Sequence, residues 1–361
     1  MAAILSITSF VQANNIQQKQ RDFLVIAYYS GSAGEIDKYP VEKLTHVIYS
    51  FVHLKDNQLV VDGEKGDSTI RQMVLLKRRN PKLKVILSLG GWGGCEPCSD
   101  VFSTSEGRQE FARSTKELLV KYRADGIDLD WEYPAIEGYP GHTYMPADKQ
   151  NFTALVQELR KTLGDTYEIS FAAGGFNSYL KNSIEWKKIS PLINVINVMS
   201  YDLVNGYSKV TGHHTPLFAA KSQLESTDNA VRYLDSIGVP LSKIIIGAAF
   251  YARTWGEVDN TNHGLFQSGK FKDFVVYKDF GKYFSDNDGY TEYWDSIAQA
   301  PYRYSPSKKI FATYDNARSI AIKTRYAMNK KLGGIMFWEL SCDDYENGCL
   351  DAIDKVKNQK P

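Results

Sequence analysis

The run Asp125-Gly-Ile-Asp128-Leu-Asp130-Trp131-Glu132-Tyr133-Pro134 places acidic side chains at every second position of a stretch that otherwise reads as a buried strand. Side chains alternate across a strand, so Asp128, Asp130 and Glu132 share one face while Ile127, Leu129 and Trp131 take the other. Carboxylates spaced ~6.6 Å apart along a strand repel one another and resist burial, so stability alone does not put them there. Crowding raises the pKa of at least one member, and a carboxylic acid still protonated at neutral pH is what a general acid needs. Glu132 is the expected acid. Asp125 has the opposite parity and is expected to play a supporting structural part. The same spacing opens an EF-hand loop, but Tyr133 stands where that loop needs glycine and Tyr139 where it needs a bidentate glutamate. Calcium is therefore rejected.

Short β-branched or aromatic runs that can carry this motif recur along the chain. Strands are expected at Phe23–Ser30, His46–Leu54, Lys84–Gly90, Gly126–Tyr133, Glu168–Gly174, Val195–Tyr201, Lys243–Tyr251 and Gly334–Leu340. Helical patterns lie between many of them, most clearly at Arg108–Ala124, Asp148–Leu163, Thr227–Ile237 and Ala317–Lys331. Asp315 or Asn316 can cap the last of these, which stops at Gly333-Gly334. Strands alternating with helices predict an α/β fold, a (β/α)8 TIM barrel with its chemistry at the C-terminal strand ends. Glu132 falls at the end of the fourth strand, where a catalytic group belongs. About sixty residues separate the seventh strand from Tyr314, more than a loop and one helix use. A small α+β insertion between strands 7 and 8 is expected over residues 254–311, with the barrel formed by 22–253 and 312–357.

The 361 residues carry 43 basic and 42 acidic side chains, a formal charge of +1. That balance points away from nucleic acid and from anionic membrane surfaces. The 23 tyrosines and 17 phenylalanines suit a sugar-binding cleft, although ordinary packing uses many of them. Residues 2–13 resemble the apolar region of a secretory signal peptide, without its basic start, and end in Val11-Gln12-Ala13. Residues 1–21 are accordingly expected to be a signal peptide or N-terminal tail, and the protein secreted, extracellular or periplasmic. No apolar run reaches the ~20 residues of a membrane span. Cys95/Cys98 and Cys342/Cys349 form two close pairs, expected as local disulfides in an exported protein. Neither pair has the histidine neighbours of a metal site.

Taken together these motifs resemble the family 18 glycoside hydrolases of the chitinase type, from about Phe23 to about Lys355. The family's Asp-x-x-Asp-x-Asp-x-Glu signature stands as Asp125, Asp128, Asp130 and Glu132. Its Ser-x-Gly-Gly signature stands as Ser88-Leu89-Gly90-Gly91, followed by Trp92, and its Met-x-Tyr-Asp as Met199-Ser200-Tyr201-Asp202. Strand 7 ends Phe250-Tyr251-Ala252-Arg253, where relatives more often carry glycine in place of Ala252. Gly334-Ile-Met-Phe-Trp338-Glu339 matches the family's aromatic floor.

The resemblance implies hydrolysis of β-1,4-linked N-acetylglucosamine in chitin or chito-oligosaccharides by a monomer, with no cofactor, metal or nucleic-acid partner. It implies catalytic roles for Glu132, Asp130, Asp128 and Tyr201, with Glu132 as acid and then base. The substrate's own acetamido group would serve as nucleophile, Asp130 would hold its N–H, Asp128 would share a proton with Asp130, and Tyr201 would donate to its oxygen. Trp338 would floor the site, with Trp92, Tyr28, Phe51, Met199, Asp202, Tyr251 and Arg253 as further substrate contacts. Plainer readings stand beside these: Tyr28 and Phe51 as barrel filling, Met199 as packing, Arg253 as an ion-pair partner, and His213-His214 as a loop-fixing pair. Trp131 is expected to pack under the helices. The alternatives are an endo-β-N-acetylglucosaminidase acting on glycoprotein glycans, and a catalytically inactive chitin-binding lectin.

Overall fold

The computed structural model describes residues 22–359. The expected signal segment, residues 1–21, lies outside the described residues. The strands are β1 (Leu24–Tyr29), β2 (His46–Lys55), β3 (Gln58–Val60), β4 (Lys84–Gly90), β5 (Gly126–Asp130), β6 (Glu168–Gly174), β7 (Val195–Met199) and β8 (Ile244–Ala249). They continue as β9 (Tyr251–Gly256), β10 (Lys270–Val276), β11 (Thr291–Asp295), β12 (Ala300–Ser305), β13 (Ile310–Tyr314) and β14 (Gly334–Trp338).

Parallel pairing runs β1-β14-β8-β7-β6-β5-β4-β2, and β2 pairs back to β1, closing an eight-stranded barrel. Alternation sorts its side chains into two layers. Val25, Ala27 and Tyr29 face outward into the large core beneath the helices. Ile26, Tyr28, Ile48, Ile86, Val195, Ile245 and Met336 fill the barrel interior. The structure is therefore a (β/α)8 barrel, as expected. Trp131 packs against Phe102 and Phe152 in the outer layer, also as expected.

Four barrel strands end sooner than their apolar runs suggest. β5 stops at Asp130, β7 at Met199, β8 at Ala249 and β14 at Trp338. Glu132, Tyr201 and Asp202 thus sit on the first residues of the loops, where the backbone is released from the ladder and can turn side chains over the barrel mouth. Tyr251 belongs to β9 rather than to the seventh barrel strand. β9 opens a second, antiparallel sheet ordered β10-β9-β13-β12-β11, spanning residues 251–314. It has apolar clusters of its own, one around Ala252, Tyr290 and Tyr314 and another around Trp255, Tyr304 and Phe311.

Helix boundaries follow local chemistry. Thr104 accepts from Gly107 N at the start of the helix Ser105–Tyr122. Asn316, not Asp315, caps Ala317–Asn329 in a reciprocal capping box with Ser319. Asp315 is used elsewhere. Its carboxylate is fully buried against the fully buried Lys323 ammonium at 2.6 Å. It also accepts from Thr215 Oγ1 at 3.0 Å, Ala249 N at 3.1 Å and Ser319 Oγ at 2.7 Å. One ion pair thereby ties the end of β8, the segment after β7 and the helix that leads to β14.

Cys95 and Cys98 are bridged, with Cα atoms 5.1 Å apart, in the loop that carries Trp92. Cys342 and Cys349 correct the expectation, because both are free thiols in the apolar core. Their segments are held by Asp343 instead, whose carboxylate accepts from Cys349 N at 2.8 Å and Leu350 N at 2.9 Å. Asp343 so satisfies the first turn of the helix Cys349–Lys357.

Lys323→Ala leaves the Asp315 charge buried without its cation. The expected outcome is a loss of about 3–5 kcal/mol in urea unfolding at neutral pH, far more than a surface lysine substitution causes.

Candidate active site

The site is built upward from Asp128. Register sets Ser88 of β4 and Ser170 of β6 directly beside it. Its fully buried carboxylate accepts from Tyr28 OH at 3.1 Å, Ser88 Oγ at 2.8 Å, Ser170 Oγ at 2.5 Å and Asn197 Nδ2 at 3.1 Å. Burial pushes its pKa up, and those four hydrogen bonds oppose the shift. Four donors occupy the acceptor directions of a carboxylate. Among the described residues no hydrogen bond joins Asp128 to Asp130, so the proton expected between them has no matching contact here.

Above this platform the barrel mouth opens into a cavity of about 1010 Å³. Asp130, Glu132, Tyr201, Asp202, Trp92, Phe51, Met199, Tyr251, Arg253 and Trp338 all line it. Burial, then the charges of Glu132 and Asp128, raise Asp130 well above the usual carboxylate range. Burial, with the nearby charge of Asp202, lifts Glu132 from 4.5 to about 8. The pair therefore holds a proton at neutral pH. Asp130 Oδ1 is buried without a hydrogen-bond partner among the described residues.

Asp202 has the opposite state. Burial works to raise it, but hydrogen bonds and charge from Arg253 and His214 hold it below the usual carboxylate range. Arg253 grips it through Nε at 2.8 Å and Nη2 at 2.6 Å. Asp202 is thus a fixed negative charge that disfavours ionisation of Glu132. Tyr201 keeps its hydroxyl proton, since burial and the charges of Asp130 and Glu132 oppose phenolate formation.

The floor and walls are aromatic. Trp338 stacks on Phe51 at 5.6 Å with planes 14° apart. Gly90 and Gly91 take φ of +105° and +82°. A Cβ on Gly90 would lie 2.5 Å from Asp130 O, and one on Gly91 2.5 Å from the Phe51 ring. Glycine at both positions lets the end of β4 press against Asp130 and the floor.

The family model for "Glycosyl hydrolases family 18" matches residues 24–343, most of the chain. The chain belongs to glycosyl hydrolase family 18. Chitinase A1 of Niallia circulans is 38% identical over 300 residues, a match covering 76% of this chain and 42% of that protein. The chain thus spans less than half the length of that relative. A family 18 N-acetylglucosaminidase structure from Paenibacillus barengoltzii superposes with TM-score 0.85 at 33% identity, covering 93% of this chain and 100% of that one. Chitinase ChiA74 from Bacillus thuringiensis gives TM-score 0.87 at 27% identity, covering 94% of this chain and 71% of that one.

Within this family 18 barrel, one residue expected at the cleft is elsewhere. Tyr28 is buried below the cavity, where its hydroxyl serves Asp128. Asp125 precedes β5 and lies outside the cleft, where it accepts from Val85 N at 2.7 Å and pairs with Lys77 at 2.6 Å. Ala252 packs in an apolar cluster of the second sheet, which accommodates its methyl group. Ser170 and Asn197 were missed, although each is a lone polar residue inside an apolar strand run, which is the signal that could have found them. His213 meets a carboxylate remote in sequence, Asp295 at 3.0 Å, and His214 meets the nearer Asp202 at 3.4 Å. Tyr133, next to Glu132 in the acidic run, also lines the cavity, as do Tyr207 and Phe271, which nothing but the aromatic excess announced.

A carboxyl whose pKa is higher folded than unfolded contributes stability that is whole below the unfolded value and lost as pH rises through the folded one. The native chain should therefore lose stability relative to Glu132→Gln between about pH 4.5 and about pH 8. Urea unfolding of both proteins across that range measures it, and parallel curves would contradict the protonation state described here.

Proposed function

We propose that this chain is a chitinase, hydrolysing β-1,4-linked N-acetylglucosamine polymers and oligomers with retention. The observation that carries this reading is geometric: Glu132, Asp130, Tyr201 and Trp338 line one cavity at the barrel mouth, where burial also pushes the Glu132 carboxyl up to about 8. Sugar rings offer apolar C–H faces to tryptophan and polar edges to the rim, so such a floor suits a pyranose.

Most retaining glycosidases use a second carboxylate as nucleophile, and family 18 does not. Glu132 donates its proton to the glycosidic oxygen as the C1–O bond breaks. The acetamido carbonyl of the same sugar attacks C1, giving an oxazolinium ion. Asp130 accepts from the acetamide N–H, a role supported by its unpartnered buried oxygen. Tyr201 donates to the acetamide oxygen, and Asp128 fixes Asp130 from below. Water then attacks C1, the ring opens, and Glu132 takes back a proton. Trp92, Phe51, Met199, Asp202, Tyr251 and Arg253 shape the subsites.

The relatives' names support chitin as substrate, and the intact acid opposes an inactive lectin. The Paenibacillus barengoltzii neighbour favours a second mode, removal of single N-acetylglucosamine units. Products from a chitin hexamer separate the two, since disaccharide indicates the first and monosaccharide the second. The signal-like N-terminus supports export, and no helix among the described residues is long and apolar enough to cross a membrane.

The native chain should release the chromophore from a chitobiose glycoside, and Glu132→Gln should slow release by about a thousandfold or more while still binding chito-oligosaccharide. No release by the native chain, or a near-normal rate in the variant, would overturn the assignment.

A further inference from the structure

The antiparallel pair β9–β10 carries an irregularity with a consequence for the cleft. Phe271 lies opposite Trp255, Asp273 opposite Thr254 and Phe274 opposite Arg253, so Lys272 is the extra residue of a β-bulge. In an unbroken strand, residues three apart point to opposite faces. The bulge removes that difference and brings Phe271 and Phe274 to the face that Tyr251 and Arg253 present to the cleft.

Both phenylalanines are 37% exposed, although they belong to a protein with ample apolar core to bury them. They are also held in place. The Arg253 guanidinium lies 5.8 Å from the Phe271 ring centre and 5.6 Å from that of Phe274. Phe274 further stacks on Tyr251 at 4.7 Å with planes 30° apart. Arg253 is itself fixed by its two hydrogen bonds to Asp202, so the rings rest on a rigid cation. Phe271 lines the cavity, and Phe274 adjoins it through its contacts with the lining residues Tyr251 and Arg253.

We propose that Phe271 and Phe274 form an aromatic step by which a β-1,4-linked N-acetylglucosamine chain continues from the cleft onto the inserted sheet. This rests on the chitin-chain reading of the cleft. Rigid, half-exposed rings at a continuous cleft edge suit the apolar faces of successive pyranoses, and Lys272 and Asp273 in the bulge put polar groups beside them. Phe274 then contributes to binding only when the oligosaccharide is long enough to leave the cavity.

The test is calorimetric binding of an N-acetylglucosamine ladder, dimer to hexamer, in a Glu132→Gln background that prevents turnover. The parent should gain affinity with length, and Phe274→Ala should remove about fivefold of that gain at the hexamer while leaving the dimer within twofold. Phe274→Tyr, which keeps the ring, should restore it. An undiminished length-dependent gain in Phe274→Ala overturns the proposal, as does an equal loss for dimer and hexamer or no binding of any length. Hydrolysis is assayed separately with the native chain, so a protein that binds the ladder through Phe274 without cleaving it would refute the hydrolase assignment and leave the aromatic step standing.

Discussion

A carboxylate at the centre of a barrel is costly to desolvate, and everything at the mouth of this one depends on how Asp128 meets that cost. Its two oxygens take hydrogen bonds from side chains on β1, β4, β6 and β7, four strands converging on the residue carried by the fifth. An unpaired buried charge disfavours folding by several kcal/mol, whereas a saturated one is tolerated and fixes its neighbours. Saturation also fixes geometry. Each donor strand must hold its register for its donor to reach, so the ring of hydrogen bonds sets the relative heights of the strand ends. Asp130, two residues on, inherits that height and finds no donor for its buried Oδ1 among the described residues. A platform that uses up its own donors below leaves the next carboxylate available to a ligand above.

The second dependence runs sideways, into the inserted sheet. Arg253 stands on β9, the first strand of that sheet, and closes on Asp202 in the loop after β7. His213 reaches Asp295 on β11, and His214 lies against Asp202. The Arg253–Asp202 ion pair and the His213–Asp295 contact join the segment after β7 to the inserted sheet through polar groups rather than through apolar area alone. Partly buried pairs of this kind hold geometry more than they add stability, because their desolvation offsets much of the attraction.

The barrel and the place of Glu132 at its mouth were legible in the sequence because both announce themselves locally. An apolar run interrupted at a two-residue period can be read without knowing any partner, and Glu132 lies at the end of one. Ser88-Leu89-Gly90-Gly91 was legible only through the family resemblance, and the close backbone approach of its glycines emerges where they meet Asp130 and Phe51. What was not legible was whatever depends on pairing across the barrel. Tyr28 reads equally well as a sugar contact or as filling, and only its height relative to Asp128 decides that it serves the carboxylate. Ser170 and Asn197 are unremarked polar residues until register sets them beside Asp128. The free Cys342 and Cys349 belong to the same class. Their spacing suits a bridge, yet Asp343 satisfies the helix start between them and holds the segment without one.

The charge distribution of the cleft follows from combining the two dependences. Burial alone would raise every carboxyl at the mouth, and an all-neutral site could donate a proton but could not stabilise a cation. Arg253 breaks that symmetry by holding Asp202 ionised, and the Asp202 charge in turn helps to keep Glu132 protonated. One carboxylate is made a permanent anion so that its neighbour can remain an acid. The guanidinium comes from the inserted sheet, so that sheet does more than line one side of the cavity. It supplies the cation that separates the protonation states of two carboxyls in one cavity, and the general-acid role proposed for Glu132 draws on that separation.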